Sequence, residues 1–267
     1  MGLSEVQLLL TMDGPPFSDF NIDPSNSFLF GYKQMTQPII AIIPSRGGSQ
    51  RIALKSLEKV GGRSLLQRTI ETAKDSKLFD RIIVSTDNEK IASEGQKFGA
   101  EVPRLRTTAS DNLTPVSLAT IHTLEQLLEV DSQYLNATVY QLMPNCPFLS
   151  LNTLNESFSK FQSDPTNSLL SAVKADPIHW FAFEIDEHGN YKRIIEGVKD
   201  NTRTQDYPTM YVPSGAVWVA STSYLLENRS FYGKNFKFFE VPFIDGFDID
   251  TMEQLEFART LAEKSLS

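Results

Sequence analysis

The chain has 267 residues, of which 40% are hydrophobic and 22% are charged. This size and composition suit one substantial α/β domain and exclude a fibrous or disordered protein. Its formal net charge of −8 at pH 7 argues against a broad nucleic-acid-binding surface, which is usually basic, so any anionic ligand must be met by a local positive patch.

The first 35 residues differ in pattern from the rest. They contain GPP and DPSNS and show no sustained period of 2 or 3.6, so we expect residues 1–35 to be a loosely ordered extension and residues 36–267 to form the domain. MGLSEVQLLLTMDGPP has no cationic leader, and no apolar run approaches the roughly 20 residues of a spanning helix, so we expect no membrane partner. The single cysteine, Cys146, cannot form an internal disulfide, which favours a cytoplasmic location.

From residue 38 onward, buried strands alternate with amphipathic helices. PIIAII (38–43) is a continuous apolar run typical of a strand buried on both faces, and RIIVSTD (81–87) and ATVYQLM (137–143) repeat this signal. Helical patterns occupy three segments, 65–73, 88–99 and 117–129. We therefore predict a Rossmann-like α/β fold, with a mostly parallel sheet sandwiched by helices.

The pattern changes between about residues 174 and 212. WFAFEIDEHGNYKRII has β-type stretches on both sides of a turn-forming HGN, which predicts a hairpin that would form a flap or an arm between subunits. Strand patterns return at 214–221 and 236–242. A final helix follows DIDT, and its predicted buried face carries Met252, Leu255, Ala258 and Leu261.

The stretch IIPSRGGSQRIALKSL (42–57) would form the first βα loop, at the sheet edge where open α/β folds usually bind ligands. Five cationic residues and one acidic residue lie between Ser45 and Arg63, which supplies the positive patch. Glycines allow backbone N–H groups to approach phosphate oxygens. The loop matches neither GxxxxGK[ST] nor GxGxxG. It predicts a different kind of phosphate-binding loop, and the alternative is a solvated basic turn.

The same stretch resembles the ARGGSKxIPxKN signature of the CMP-sialate synthetases, or acylneuraminate cytidylyltransferases. The similarity continues in the family's order through LFDRIIVSTDNEKIA, GAEVPRLR, MPNCPFL, RTQ, SGAVWV and DIDT, over roughly residues 38–262. The resemblance implies a fold of the nucleotide-diphospho-sugar transferase type and a homodimer with the hairpin as its arm. It also implies attack of a nonulosonic acid, a nine-carbon keto-sugar acid, on the α-phosphate of CTP, giving a CMP-sugar and pyrophosphate with Mg²⁺.

Residue chemistry supports this activity for the loop and for DIDT. Arg46 and Lys55 are the expected catalytic residues, because phosphoryl transfer depends on positioning and charge neutralisation. Asp248 and Asp250 are two apart on an extended segment, which places both carboxylates on one side as Mg²⁺ ligands. The alternative is that DIDT only caps the last helix. The full predicted nucleotide-binding set is Arg46, Gly47, Gly48, Ser49, Lys55, Ser56, Arg106 and Thr114.

The sugar-binding set follows from the resemblance. Arg203 and Gln205 in NTRTQD match sugar-side positions, and an arginine fork suits a sugar carboxylate, although a charged surface turn is the alternative. Asn145 and Ser214 complete this set. Asp111 matches a polar loop that follows Arg106 in the family, with an ordinary surface turn as the alternative. Asp87 we expect to be structural, and Cys146 to be a small buried residue.

Several residues depart from the family pattern. Gln50, Ala53 and Ser56 replace a Lys, a Pro and an Asn, and Met143 replaces the Gln of a Gln-Pro pair. These departures leave open a catalytically degenerate member that binds nucleotide or sugar without turnover, or a structural partner. SDNLTP, MPNCPFL and NTRTQD resemble the pseudaminate branch, whereas SGAVWV is closer to the sialate pattern. We therefore expect pseudaminic acid as substrate, followed by legionaminic or N-acetylneuraminic acid.

Overall fold

The computed structural model describes residues 37–49, 51–107, 114–199 and 202–264. The predictions for residues 1–35, Gln50 and Asp111 lie outside these ranges. The strands are β1 (Ile39–Pro44), β2 (Lys59–Val60), β3 (Arg63–Ser64), β4 (Arg81–Ser85), β5 (Thr138–Gln141), β6 (Ser168–Lys174), β7 (Phe183–Ile185), β8 (Tyr191–Arg193), β9 (Tyr211–Ser221) and β10 (Phe236–Glu240). The α-helices are α1 (Leu65–Ser76), α2 (Glu89–Lys97), α3 (Val116–Val130), α4 (Leu151–Ser163), α5 (Thr222–Asn228) and α6 (Met252–Lys264).

Six strands form the central sheet, in the order β10-β6-β9-β5-β1-β4. β1 pairs in parallel with β4 and β5, and β6 pairs in parallel with β10. β9 is antiparallel to both β5 and β6. The predicted fold class is confirmed, and the antiparallel β9 is an addition that an apolar run cannot reveal, since the run is the same in either direction.

Alternation along β1 divides the core between the two faces of the sheet. Ala41 and Ile43 point to one face and pack in a cluster with buried residues of α1, α2 and α4. Ile40 and Ile42 point to the other face and pack with α3 and α5. A strand covered on both faces must be apolar at every position, which is why PIIAII is continuous.

The helix boundaries follow from side-chain caps. Ser64 Oγ accepts from the N–H of Gln67 at the start of α1, and Asn88 Oδ1 accepts from two N–H groups at the start of α2. α6 buries Leu255 and Ala258 as predicted, but the prediction was wrong for Met252, which is 49% exposed. Met252 is the first residue of α6. One turn beyond Ala258 the buried residue is Ala262, whereas the predicted Leu261 is only partly buried.

Two elements between residues 150 and 174 were not anticipated. α4 begins at the cap Ser150, whose Oγ accepts from the N–H of Thr153, and β6 adds the strand that joins β9 to β10. The sequence of α4 is rich in polar residues and buries only one side. The sequence of β6 has serines inside the buried strand, which weakens the apolar signal.

The predicted hairpin is confirmed as β7 and β8, which pair antiparallel around a turn closed by the bond from the N–H of Asp186 to the carbonyl of Asn190, 3.0 Å long. The hairpin forms its own two-stranded sheet, separate from the central one. At the far edge of the central sheet, β10 exposes Phe236 and Phe238. Among the described residues, no helix combines the length and apolar character required to cross a membrane.

Candidate active site

A cavity of about 410 Å³ opens where β1 and β5 end. The first βα loop forms one wall, residues after β5 form another, and the start of α3 and the segment before α6 complete it. This is the sheet edge at which open α/β folds place ligands. The lining residues are Pro44, Ser45, Arg46, Ser49, Arg51, Lys55, Ser56, Arg106, Thr114, Val116, Ala119, Met143, Pro144, Asn145 and Asp250.

The cavity is basic although the chain is acidic. Its lining includes four cationic side chains, those of Arg46, Arg51, Lys55 and Arg106, and one acidic side chain, that of Asp250. The chain as a whole carries a formal net charge of −8. Such a local excess of positive charge concentrates anionic ligands at the cavity.

The two glycines of the loop have different surroundings. The N–H of Gly47 donates to Asp87 Oδ1 at 2.7 Å, and a Cβ on Gly47 would lie 2.9 Å from Asn88 Nδ2. Gly47 therefore lets the loop pack against the start of α2. A Cβ on Gly48 would meet nothing within 4 Å in the described structure, so the backbone of Gly48 borders open space that a phosphate can enter.

Lys55 joins this loop to the DIDT segment. Its ammonium donates to the carbonyl of Ile249 at 2.6 Å and to Asp250 Oδ1 at 3.0 Å. Arg51 Nη1 lies 3.5 Å from the other oxygen of Asp250. The Lys55 side chain is only 20% exposed, so its contact is better shielded from solvent than that of Arg51.

The two carboxylates of the DIDT segment lie close enough that the charge of Asp250 acts on Asp248. Ile249 lies between them, fully buried in the cluster formed with α6 and β2. Its N–H donates to the carbonyl of Asn145 at 2.9 Å, and Asn145 Nδ2 donates to Asp248 Oδ1. Asn145 therefore fixes the segment through its backbone and the Asp248 carboxylate through its amide.

The helix cap and the carboxylate pair coexist in this segment. Gln254 Oε1 accepts from the N–H groups of Asp250 and Thr251, and Thr251 Oγ1 accepts from the N–H of Gln254. This is a reciprocal capping box, which the T-x-x-Q spacing signals in the sequence. Because Thr251 and Gln254 cap α6, the Asp250 carboxylate is left to face the cavity.

Four buried polar atoms around the cavity have no hydrogen-bond partner within the described ranges of the chain: Ser45 Oγ, Ser56 Oγ, Arg106 Nε and Asn145 Oδ1. Burial also lowers the pKa of Arg106, while the nearby Asp87 raises it and Arg46 lowers it. Buried polar atoms in folded proteins are nearly always paired. Their convergence on one cavity indicates a site shaped to pair with a polar, anionic ligand.

The structure does not bring every predicted site residue to this cavity. Arg203 and Gln205 lie in an exposed short 3₁₀ helix region, where Arg203 pairs with Asp206 at 3.0 Å. Ser214 is buried in β9, where its Oγ lies 2.9 Å from Ser171 Oγ. None of the three lines the cavity, and Gly47, Gly48 and Asp248 adjoin its lining residues without lining it themselves. Cys146 is buried, as predicted.

Sequence reasoning missed Asp245, which holds the approach to DIDT. This carboxylate is buried, and its Oδ2 accepts from the N–H of Ser150 at 3.0 Å and from Ser150 Oγ at 2.5 Å. It therefore fastens the segment before Asp248 to the start of α4. Sequence reasoning also missed the apolar side of the cavity, formed by Val116, Ala119 and Met143. An apolar pattern looks the same whether its residues line a cavity or pack in the core.

The sequence model of the cytidylyltransferase family matches residues 40–266 of this chain. A pseudaminic acid cytidylyltransferase of Campylobacter jejuni is 30% identical over 222 residues, covering 83% of this chain and 95% of the relative. A CMP-N,N'-diacetyllegionaminic acid synthase of Legionella pneumophila is also 30% identical, covering 80% and 91%. A solved CMP:2-keto-3-deoxy-manno-octonic acid synthetase complexed with CTP has a TM-score of 0.63 at 16% identity, covering 85% of this chain and 99% of that one, and shares the fold.

Burial, followed by the charge of Asp250, raises the pKa of Asp248 from 3.8 to about 6, against the opposing effect of Lys55 and Arg51. The folded protein therefore holds this proton more tightly than the unfolded chain does. The stabilisation is complete below the unfolded pKa near 4 and is lost as the pH rises through about 6.

In metal-free buffer containing a chelator, we expect the contribution of Asp248 to the free energy of unfolding to fall by up to about 3 kcal/mol as the pH rises from about 4 to about 7, because Asp248 then loses its proton. Asp248→Asn keeps an oxygen acceptor for Asn145 and removes this dependence. Urea unfolding of both proteins across this pH range measures the difference, which should grow with pH in favour of the variant. A constant difference would contradict the assignment.

Proposed function

The chain belongs to the cytidylyltransferase family, and we propose that it transfers the cytidylyl group of CTP to a nonulosonic acid, giving a CMP-sugar and pyrophosphate. One observation carries the proposal. Four cationic side chains and four buried, unpaired polar atoms of the described structure converge on a single cavity beside Asp248 and Asp250. A triphosphate and a nucleoside supply the negative charge and the polar groups that such a cavity would pair.

The first βα loop, residues 45–57, would hold the triphosphate and is called the phosphate loop below. Arg46 and Lys55 neutralise phosphate charge, the N–H groups around Gly48 and Ser49 border the open side of the loop, and Arg51 adds a cation near Asp250. Arg106, Ser56 and Thr114 line the remaining polar wall and are the proposed nucleoside contacts. Cations placed in advance where charge develops lower the barrier without rearrangement during the reaction.

The reaction needs positioning more than a covalent catalyst. The anomeric oxygen of the sugar forms a bond to the α-phosphorus, the bond between that phosphorus and the bridging oxygen to the β-phosphate breaks, and pyrophosphate departs with the electron pair. The hydroxyl proton passes to solvent or a nearby base. Arg46 and Lys55 stabilise the charge on the leaving pyrophosphate, because they lie on the phosphate-loop wall.

We propose that Asp248 and Asp250 hold Mg²⁺. Among the described residues no three His, Cys, Asp or Glu side chains are grouped for a metal. Two carboxylates that lie close enough to act on one another still fit Mg²⁺, because this ion is usually bound by one or two carboxylates together with water and substrate phosphates. The pKa of Asp248 is raised mainly by burial and in part by the charge of Asp250, and a bound cation would relieve both effects. The ion, when bound, would neutralise phosphate charge and orient the α-phosphate.

Pseudaminic acid is the proposed sugar, with legionaminic and N-acetylneuraminic acid as the other candidates. The similar proteins include a pseudaminic acid cytidylyltransferase and a legionaminic acid synthase, both 30% identical to this chain, which supports the nonulosonic acid class. These relatives carry enzyme names and give no support to a degenerate function. We also propose a cytoplasmic location, because the only cysteine of the chain is buried and free.

Pyrophosphate release from CTP and a panel of nonulosonic acids tests the activity. We expect turnover with at least one sugar, and we expect Arg46→Ala to reduce kcat/KM by about a hundredfold, because it removes a charged contact to phosphate. Lys237→Ala, at an exposed ion pair on β10, serves as a matched loss of a cation away from the cavity. Absence of turnover with every sugar and CTP would refute the proposed function.

Asp250→Asn tests the metal site. Loss of a ligand carboxylate should reduce turnover by about a hundredfold or more at saturating CTP, and excess Mg²⁺ should restore part of it. Asp164→Asn, which removes an exposed carboxylate paired with Lys237, should leave turnover unchanged. Thermal melts establish that both variants are folded. Full activity of folded Asp250→Asn would contradict the assignment.

We propose a homodimer that uses the hairpin as its arm. Phe183, Ile185, Tyr191 and Ile194 are all about half exposed or more, and exposed apolar groups concentrated on one projecting element favour contact with another protein surface. Replacing Phe183–Ile194 with a short Gly-Ser linker should convert dimers to monomers in sedimentation velocity. A monomeric unmodified protein at micromolar concentration would exclude this arrangement.

A further inference from the structure

Met143 occupies a distinctive place on the cavity wall. It follows β5 in the chain, is partly exposed, and lines the cavity next to Pro144 and Asn145. A Cβ built on Gly215 would lie 2.9 Å from Met143 Cγ and 3.8 Å from Asp248 Oδ2. Met143 therefore stands beside the carboxylate of Asp248, with the bare backbone of Gly215 making room for its side chain.

The thioether of Met143 is held in position by the side chain of Gln141. Gln141 is fully buried, its Oε1 accepts from Thr120 Oγ1 at 2.7 Å, and its Nε2 donates to Met143 Sδ at 3.9 Å. Methionine is usually an adaptable side chain. Here a buried amide engages its sulfur on one side and Gly215 borders it on another, so the wall has a defined position.

The position of Met143 relative to the charged groups indicates which part of the reactants it meets. Arg46, Arg51 and Lys55 lie on the phosphate-loop wall, where the β- and γ-phosphates would bind. If Asp248 and Asp250 hold the Mg²⁺ proposed above, the α-phosphate is oriented beside them, and the acceptor hydroxyl must approach it there. On that premise Met143, which lies beside Asp248, would face the incoming sugar acid.

The chemistry of this wall is apolar. A thioether has no hydrogen to donate and is a weak acceptor, and its sulfur already receives the amide of Gln141. A sugar hydroxyl pressed against Met143 would lose hydrogen bonds to water without replacement. A methyl group or a deoxy carbon makes no hydrogen bonds to water and would lose none against this wall.

On this basis, and resting on the proposed function, we propose that Met143 determines sugar specificity. It favours nonulosonic acids that place an apolar carbon, either a methyl group or a deoxy position, against the wall beside Asp248, and it disfavours those that place a hydroxyl there. An apolar wall discriminates against an added hydroxyl by about tenfold to a hundredfold in kcat/KM.

The experiment compares N-acetylneuraminic acid with analogues that each lack one of its hydroxyl groups. With the unmodified enzyme, we expect one analogue to exceed the parent by about tenfold or more in kcat/KM. Met143→Gln supplies an amide of similar length and should abolish that preference. Met143→Leu keeps the wall apolar and should retain it, and the KM for CTP should be unchanged in both variants.

The outcomes separate this inference from the proposed function. Turnover by the unmodified enzyme without preference for any deoxy analogue would overturn the role of Met143 and leave the activity standing, whether or not the variants fold. An equal preference in folded Met143→Gln would overturn it as well. A changed KM for CTP with unchanged sugar discrimination would place Met143 at the nucleotide. Absence of turnover with every sugar would refute both proposals.

Discussion

The ammonium of Lys55 bonds to Asp250 and to the carbonyl of Ile249, and the geometry of the cavity depends on this contact. It joins the loop after the first strand to the segment before the last helix. Two further contacts fix the segments that meet here: Asn145, after β5, donates to Asp248, and Gly47 of the loop donates to Asp87. Because Lys55 is mostly shielded from solvent, its ion pair is less weakened by water and salt than an exposed pair would be.

The cavity is basic although the chain is acidic, and the carboxylates near the cavity bond to its cationic side chains or to the loop that carries them. Asp250 pairs with Lys55 and lies close to Arg51, and Asp87 accepts from the loop backbone while acting on buried Arg106. These carboxylates restrain the cationic side chains before a ligand arrives. Such preorganisation reduces the entropy that a bound triphosphate would otherwise lose in ordering its partners.

The sequence predicted much of the frame because the signals were local. Continuous apolar runs predicted β1, β4 and β5, and turn chemistry predicted the hairpin of β7 and β8. The direction of β9 and the presence of β6 depend on pairing between distant segments, which periodicity does not encode. Within the cavity, charge and spacing identified Arg46, Lys55 and Asp250. They did not identify the support given by Asp245, which depends on a contact 95 residues away.

The distance along the chain between Lys55 and Asp250, 195 residues, has a consequence for biosynthesis. The loop is among the first parts of the domain to leave the ribosome, whereas its partner emerges only shortly before α6. Contacts between such distant segments form late, since closing a long loop costs entropy that local structure does not. A nascent or prematurely terminated chain can therefore assemble most of the sheet while its cavity is still incomplete, so ligand affinity reports on the completion of the whole domain.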